Sequence, residues 1–216
     1  MTAAPGLIEP VFTVAGARVE AHAAVPTLML ALGVEVPDGR ALEGLALSCQ
    51  LRLEPARRGY STEETARLID LFGAATRWSA TMKPLPWVDS SVLVPAFSGR
   101  AQVELPIPCS YDLEVSASRY FQSLDGGEVP LRLLFRGTIF SRGDRGLEMT
   151  PLPWRCEAAW RLPVALWRAA IDGHFPDAGW LRLQKRTLDA LVAFKGRHAL
   201  ASFDGVIETL LAEAER

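Results

Sequence analysis

Two acids and three arginines have the spacing in this 216-residue chain that most resembles a reactive site. Asp112 and Glu114 stand two residues apart, in a run where Tyr111, Leu113, Val115 and Ala117 alternate with Asp112, Glu114, Ser116 and Ser118. On a strand such neighbours share one face at about 6–7 Å, near the separation used in two-carboxylate hydrolysis. Arg52, Arg132 and Arg136 occupy polar positions of other alternating runs and are placed to face those acids across strands. Two readings follow: a carboxylate–arginine site, or ion pairing on a solvated sheet face. The second is the commoner arrangement, so no residue is assigned as catalytic.

The thiols and imidazoles point the same way. Cys49, Cys109 and Cys156 are 60 and 47 residues apart. No close pair can start a chelate, whereas zinc needs four converging donors. Cys49 falls on the apolar side of its run, where a thiol acts as a small hydrophobe. His174 and His198 each follow an expected helix end, where the dipole favours a cationic ring, and His22 sits in a loop. The chain has no G-x-x-x-x-G-K-[ST], G-x-G-x-x-G, G-x-S-x-G, H-E-x-x-H or C-x-x-C. No cofactor and no metal is expected.

Composition narrows the class. With 23 basic against 25 acidic groups there is no cationic excess to displace phosphate counterions, so nucleic acid is not an expected partner. No apolar run reaches the roughly 18 residues of a membrane span. The first residues, Met1 to Pro5, lack a basic and then apolar leader pattern, and the odd cysteine count reads as buried thiols. Both point to a cytoplasmic protein.

The elements that must position these groups read as β through the first 150 residues. Leu47, Cys49, Leu51 and Leu53 alternate with Ser48, Gln50, Arg52 and Glu54, the period of a strand with one dry face. The same period covers Leu28–Val36, Val103–Ile107 and Leu131–Phe140, with Val11–Val19 and a short Leu147–Thr150 strand beside them. One helix is expected over Thr62–Phe72, opened by the capping-box pair Ser61 and Glu64 and ended by Gly73. Residues 151–216 change to helical spacing. Pro163, Leu166, Trp167, Ala170 and Ile171 give one helix, and Leu181, Leu188, Leu191 and Val192 a second. Phe203, Val206, Ile207, Leu210, Leu211 and Ala214, capped by Ser202, give a third. The expected fold is α+β: an antiparallel β-sandwich-like body (1–150) with an inserted helix, and about three C-terminal helices (151–216) packed on it as one globular unit.

Two segments suggest contacts. Ala74–Gly99, with Trp78, Pro84, Pro86, Trp87, Pro95 and Phe97, reads as long and irregular. Trp87 and Phe97 either anchor a partner or fold inward as a plug. Arg182, Lys185 and Arg186 at i, i+3, i+4 form a basic helical stripe, either a solvated face or a docking patch for an acidic surface.

The runs Ala24-Val25-Pro26-Thr27-Leu28, Leu47-Ser48-Cys49-Gln50-Leu51-Arg52-Leu53-Glu54-Pro55, Leu71-Phe72-Gly73, Leu105-Pro106-Ile107-Pro108-Cys109-Ser110-Tyr111-Asp112 and Gly179-Trp180-Leu181-Arg182-Leu183 resemble an uncharacterised bacterial family, a domain of unknown function. The likeness spans nearly the whole chain. Members of that family are often encoded beside nickel–iron hydrogenase genes, so the resemblance implies an accessory role in hydrogenase assembly or electron transfer. It brings no catalytic residues with it. The expected function is therefore a non-catalytic protein-binding or assembly protein, with a protein partner and self-association open. The alternatives are an enzyme built on Asp112, Glu114 and the arginines, and a chaperone-like holder of apolar segments.

Overall fold

The computed structural model describes residues 8–110, 115–144, 146–176 and 181–215. The chain divides into two compact units, Met1–Gly179 and Trp180–Arg216. In the first unit the order is β1 (Val11–Val19), β2 (Thr27–Glu35), β3 (Ala41–Leu42), β4 (Gly44–Leu53), α1 (Thr62–Phe72) and the one-turn α2 (Trp78–Thr81). Then come β5 (Leu85–Val94), β6 (Phe97–Ser98), β7 (Arg100–Pro108), α3 (Ser116–Gln122), β8 (Glu128–Gly143), β9 (Gly146–Pro151), β10 (Glu157–Pro163) and α4 (Val164–His174). The second unit holds α5 (Lys185–Arg197) and α6 (Phe203–Ala214). The fold is α+β with antiparallel sheets, as the alternating runs imply. No helix among the described residues is long and apolar enough to cross a membrane.

One sheet has the order β1-β2-β7. The other has the order β10-β8-β4-β5, with β9 also paired to β8. Period-two patterning turns the leucines of β4 and the odd-numbered residues of β8 inward: Leu51 faces Leu133 and Cys49 faces Phe135, all buried. Leu28, Leu30, Leu32, Leu105 and Ile107 come from the opposite layer, and Phe12 stacks on Phe135 at 4.1 Å between the two. The layers also meet at their rims, β5 beside β7 and β10 beside β1. At the first seam the Ser90 hydroxyl donates to the Pro106 carbonyl at 2.5 Å; at the second, Arg155 pairs with Glu9. The body is thus a flattened sandwich closed on both sides.

The helices of this unit gather at one end of the five-stranded sheet, where β4 and β10 finish and β5 and β8 begin. The α1 cap forms as the sequence implies: Ser61 Oγ accepts from Glu64 N–H, Glu64 accepts from Ser61 N–H, and Gly73 takes φ +73°. Such a cap contributes about 1 kcal/mol. Phe121 of α3 stacks on Trp167 of α4 at 4.8 Å, and Tyr120 meets Phe72 of α1 edge-on. The Trp167 indole N–H is buried without a partner, a cost of about 1–3 kcal/mol that burial of the ring offsets. His174 ends α4; its Nδ1 and Nε2 lie 3.1 and 3.0 Å from the carbonyls of Ala170 and Ala23, tying the helix to the loop before β2.

Several expectations require correction. The stretch 74–99 is largely ordered: β5 is a ten-residue strand inside it. Its prolines are tolerated because β5 is the outermost strand of its sheet, and a register shift between Leu51/Val88 and Arg52/Pro86 leaves Trp87 bulged. Residues 111–114 lie outside the described residues, and from Ser116 the run is the helix α3, not a strand. Ala117, Tyr120, Phe121 and Leu124, all buried, repeat at helical spacing, a longer signal than the alternation before them. The expected all-helical segment 151–216 contains the strand β10, in which Ala158, Trp160 and Leu162 alternate. The helix α4 runs through Gly173, and α5 begins at Lys185, leaving Leu181 and Arg182 outside it.

Candidate protein-docking surface

The outward face of the five-stranded sheet collects the groups that sequence spacing singled out. Its register places Arg52 directly opposite Arg132, and Arg136 opposite Ser48 two rows further along. Like charges in facing positions repel, and the neighbours offset this. Arg132 pairs with Glu54 at 3.3 Å and with Glu157 at 3.0 Å. Arg52 donates to Gln50 Oε1 at 2.8 Å, and Arg136 reaches Asp89 at 3.8 Å. The three arginines share this outward face, Arg52 and Arg132 side by side and Arg136 apart from them. Their described carboxylates are Glu54, Glu157 and Asp89, which sequence reading did not single out; Asp112 and Glu114 lie outside the described residues. Glu157 was hidden because β10 was not expected.

Toward the other end the same face becomes apolar. Successive rows carry Leu93, Ala46, Thr138 and Pro151, then Phe140 and Met149, then Arg142 and Leu147. Leu93, Leu147 and Met149 are 68 %, 64 % and 68 % exposed. Leu93 lines a shallow depression of about 470 Å³ together with Ala46, Ser48, Ser91, Gly137 and Thr138. The floor is held closely: Ser48 and Ser91 share a hydroxyl hydrogen bond of 3.0 Å, and a Cβ on Gly137 would stand 2.0 Å from the Ala46 carbonyl oxygen. Trp154, just beyond β9, is 91 % exposed. Isolated apolar side chains on a surface are ordinary, whereas Leu93, Leu147 and Met149 share one face of the sheet. No motif search could find it, because its rows are assembled from β4, β5, β8 and β9.

The buried polar groups are spent on structure. The Arg58 guanidinium donates to both Glu64 carboxylate oxygens at 3.1 and 2.9 Å and to the Gly126 carbonyl, and it stacks over Tyr60. Glu64 also accepts from Asp125 N–H at 2.8 Å. Burial opposes its charge, yet Arg58 and the two backbone N–H groups outweigh that and hold the carboxyl below its usual range. Tyr60 and Tyr120 share a hydroxyl hydrogen bond of 2.8 Å, and burial raises both phenols. Burial pushes the thiols of Cys49 and Cys109 up to about 12 and raises that of Cys156. Burial thus disfavours the thiolate form at all three. Among the described residues no three His, Cys, Asp or Glu side chains converge as metal ligands would.

The other candidate contacts are placed as follows. Trp87 is half-buried with its ring 5.3 Å from Phe121, and Phe97 of β6 is half-buried against the core. Arg182, Lys185 and Arg186 are exposed, but α5 starts at Lys185, so they form no three-residue helical stripe; Lys185 pairs with Asp189. In the second unit Leu188 and Val192 of α5, and Phe203, Ile207 and Leu211 of α6, stand exposed at four-residue spacing. Lys195 lies 5.5 Å from the Phe203 ring between those helices.

Residues 7–216 match a family described as a family of unknown function, DUF6084, and the chain belongs to it. No curated protein matches the chain.

Proposed function

We propose that this member of the family is a non-catalytic accessory protein that binds a protein partner through the apolar half of its five-stranded sheet. The observation that carries the reading is the exposure of Leu93, Leu147 and Met149 together on one face of a hydrogen-bonded sheet. A rigid platform loses little conformational freedom on binding, so apolar burial there converts efficiently into affinity. The arginine–carboxylate half beside it supplies a polar margin that selects orientation more than affinity. The exposed cations Arg182, Lys185 and Arg186 of the second unit are by themselves a separate candidate contact for an acidic surface. The setting is cytoplasmic assembly of a nickel–iron hydrogenase, as the resemblance implies, with no cofactor of the protein's own.

The test is co-purification from the native host of the intact protein and of Leu93→Asp, which places a charge in the apolar rows without touching the core. Mass spectrometry reads the recovered proteins. A stoichiometric hydrogenase subunit or maturation protein with the intact chain, reduced at least about tenfold by the substitution, supports the reading. Equal recovery with both chains overturns the surface assignment, and recovery of no stoichiometric partner overturns the function.

A further inference from the structure

The β8–β9 hairpin leaves one backbone edge open. The Leu152 N–H donates to the Gly137 carbonyl at 2.9 Å, which fixes the phase of the ladder. Residues 139/150 and 141/148 then exchange hydrogen bonds, while 140/149 and 142/147 do not. The N–H and C=O groups of Leu147 and Met149, and the C=O of Pro151, therefore point away from β8. Among the described residues no other strand pairs with β9. Every residue of β9 except Glu148 is exposed, and apart from Glu148 and the terminal Pro151 the strand carries no charge, proline or bulge of the kind that blunts an edge.

We propose that this edge pairs with the same edge of a second copy of the chain, antiparallel and centred on Met149. Self-pairing is chosen by β9's own residues. Pro151 has no N–H, so the edge offers two donors per copy, Leu147 and Met149. With Met149 opposite Met149 of the second copy, both find acceptors: Met149 N–H donates to Met149 C=O and Leu147 N–H to Pro151 C=O, four bonds in all. Moving the axis to Glu148 keeps four bonds but sets two carboxylates face to face, which destabilises the pair. The Met149 register puts each Glu148 opposite Thr150. The product is one continuous sheet with both apolar faces on the same side. The inference stands apart from the proposed function, because it uses backbone at an edge, not side chains on a face.

Disulfide trapping reads the register directly. Across the axis the Met149 Cα atoms would lie about 5.5 Å apart, inside the disulfide window, whereas the Leu147 Cα atoms would lie about 14 Å apart. The native thiols Cys49, Cys109 and Cys156 are buried and do not compete. Under mild oxidant, Met149→Cys is expected to form covalent dimer at least about tenfold faster than Leu147→Cys. Sedimentation of the unmodified chain over a concentration series is expected to show a dimer. Met149→Pro removes an edge donor without removing a bond to β8, so it is expected to stay folded and abolish the dimer. Equal trapping at positions 147 and 149, a monomer at every concentration, or a dimer that survives in folded Met149→Pro would each overturn the proposal. Should Met149→Pro fail to fold, the two cysteine variants decide the question alone.

Discussion

The two ends of β8 share one strand and one alternation but live in different environments. From Val129 to Phe135 it is flanked by β4 and β10, and its inward residues are all buried. From Thr138 to Gly143 β9 replaces β10 on one side, while β4 stays paired as far as Phe140; Ile139 and Ser141 are still buried, but no residue of β9 is. The first end is roofed by α1, α3 and α4 and locked by the Arg58–Glu64 pair; the second carries the exposed leucine and methionine side chains. Strand-forming residues are thus equally content in a core and at an open hairpin. What a surface is free to do depends on whether another layer covers it.

The largest expected effect lies at the junction of the two ends. Gly137→Ala drives a Cβ into the Ala46 carbonyl, so β8 must leave β4, and a loss of about 4 kcal/mol or outright failure to fold is expected in denaturant titration. Glu64→Gln leaves Arg58 buried without a counter-charge and costs about 3–5 kcal/mol at neutral pH. The same pair predicts acid sensitivity. The Glu64 carboxyl is held below its ordinary 4.5, so its stabilisation is complete above that value and is lost as pH falls through the lower folded-state value. A midpoint measured against pH will drop in that acid range in the intact chain and less in Glu64→Gln. Next, Leu133→Ala at the roofed end is expected to cost about 2–5 kcal/mol. Leu147→Ala at the open end is expected to stay within about 0.5 kcal/mol. Equal losses at those two positions would erase the contrast between the ends.

Much of this was readable in the amino-acid order. The leucines of β4, the helix α1 with its Ser61–Glu64 cap, and the C-terminal helix behind Ser202 follow from local rules, because periodicity and capping act over a few residues. Trp87 shows where such rules stop. Prolines on both sides disguised its strand, and a bulge together with the Phe121 ring turned it inward. Arg52, Arg132 and Arg136 were legible as a group, whereas Glu54, Glu157 and Asp89 became their partners through strand pairing between distant segments.

The sequence by itself therefore determined which side of β2, β4, β7 and β8 is dry, where α1 begins and ends, and that the three thiols sit apart along the chain. Tertiary structure alone decided which outward rows lie together, which of them remain uncovered, and which backbone edge stays open. The physical reason is range. Alternation and caps are set by neighbours in the chain, but cover and pairing are set by residues brought from tens of positions away, 96 for Gly44 and Phe140.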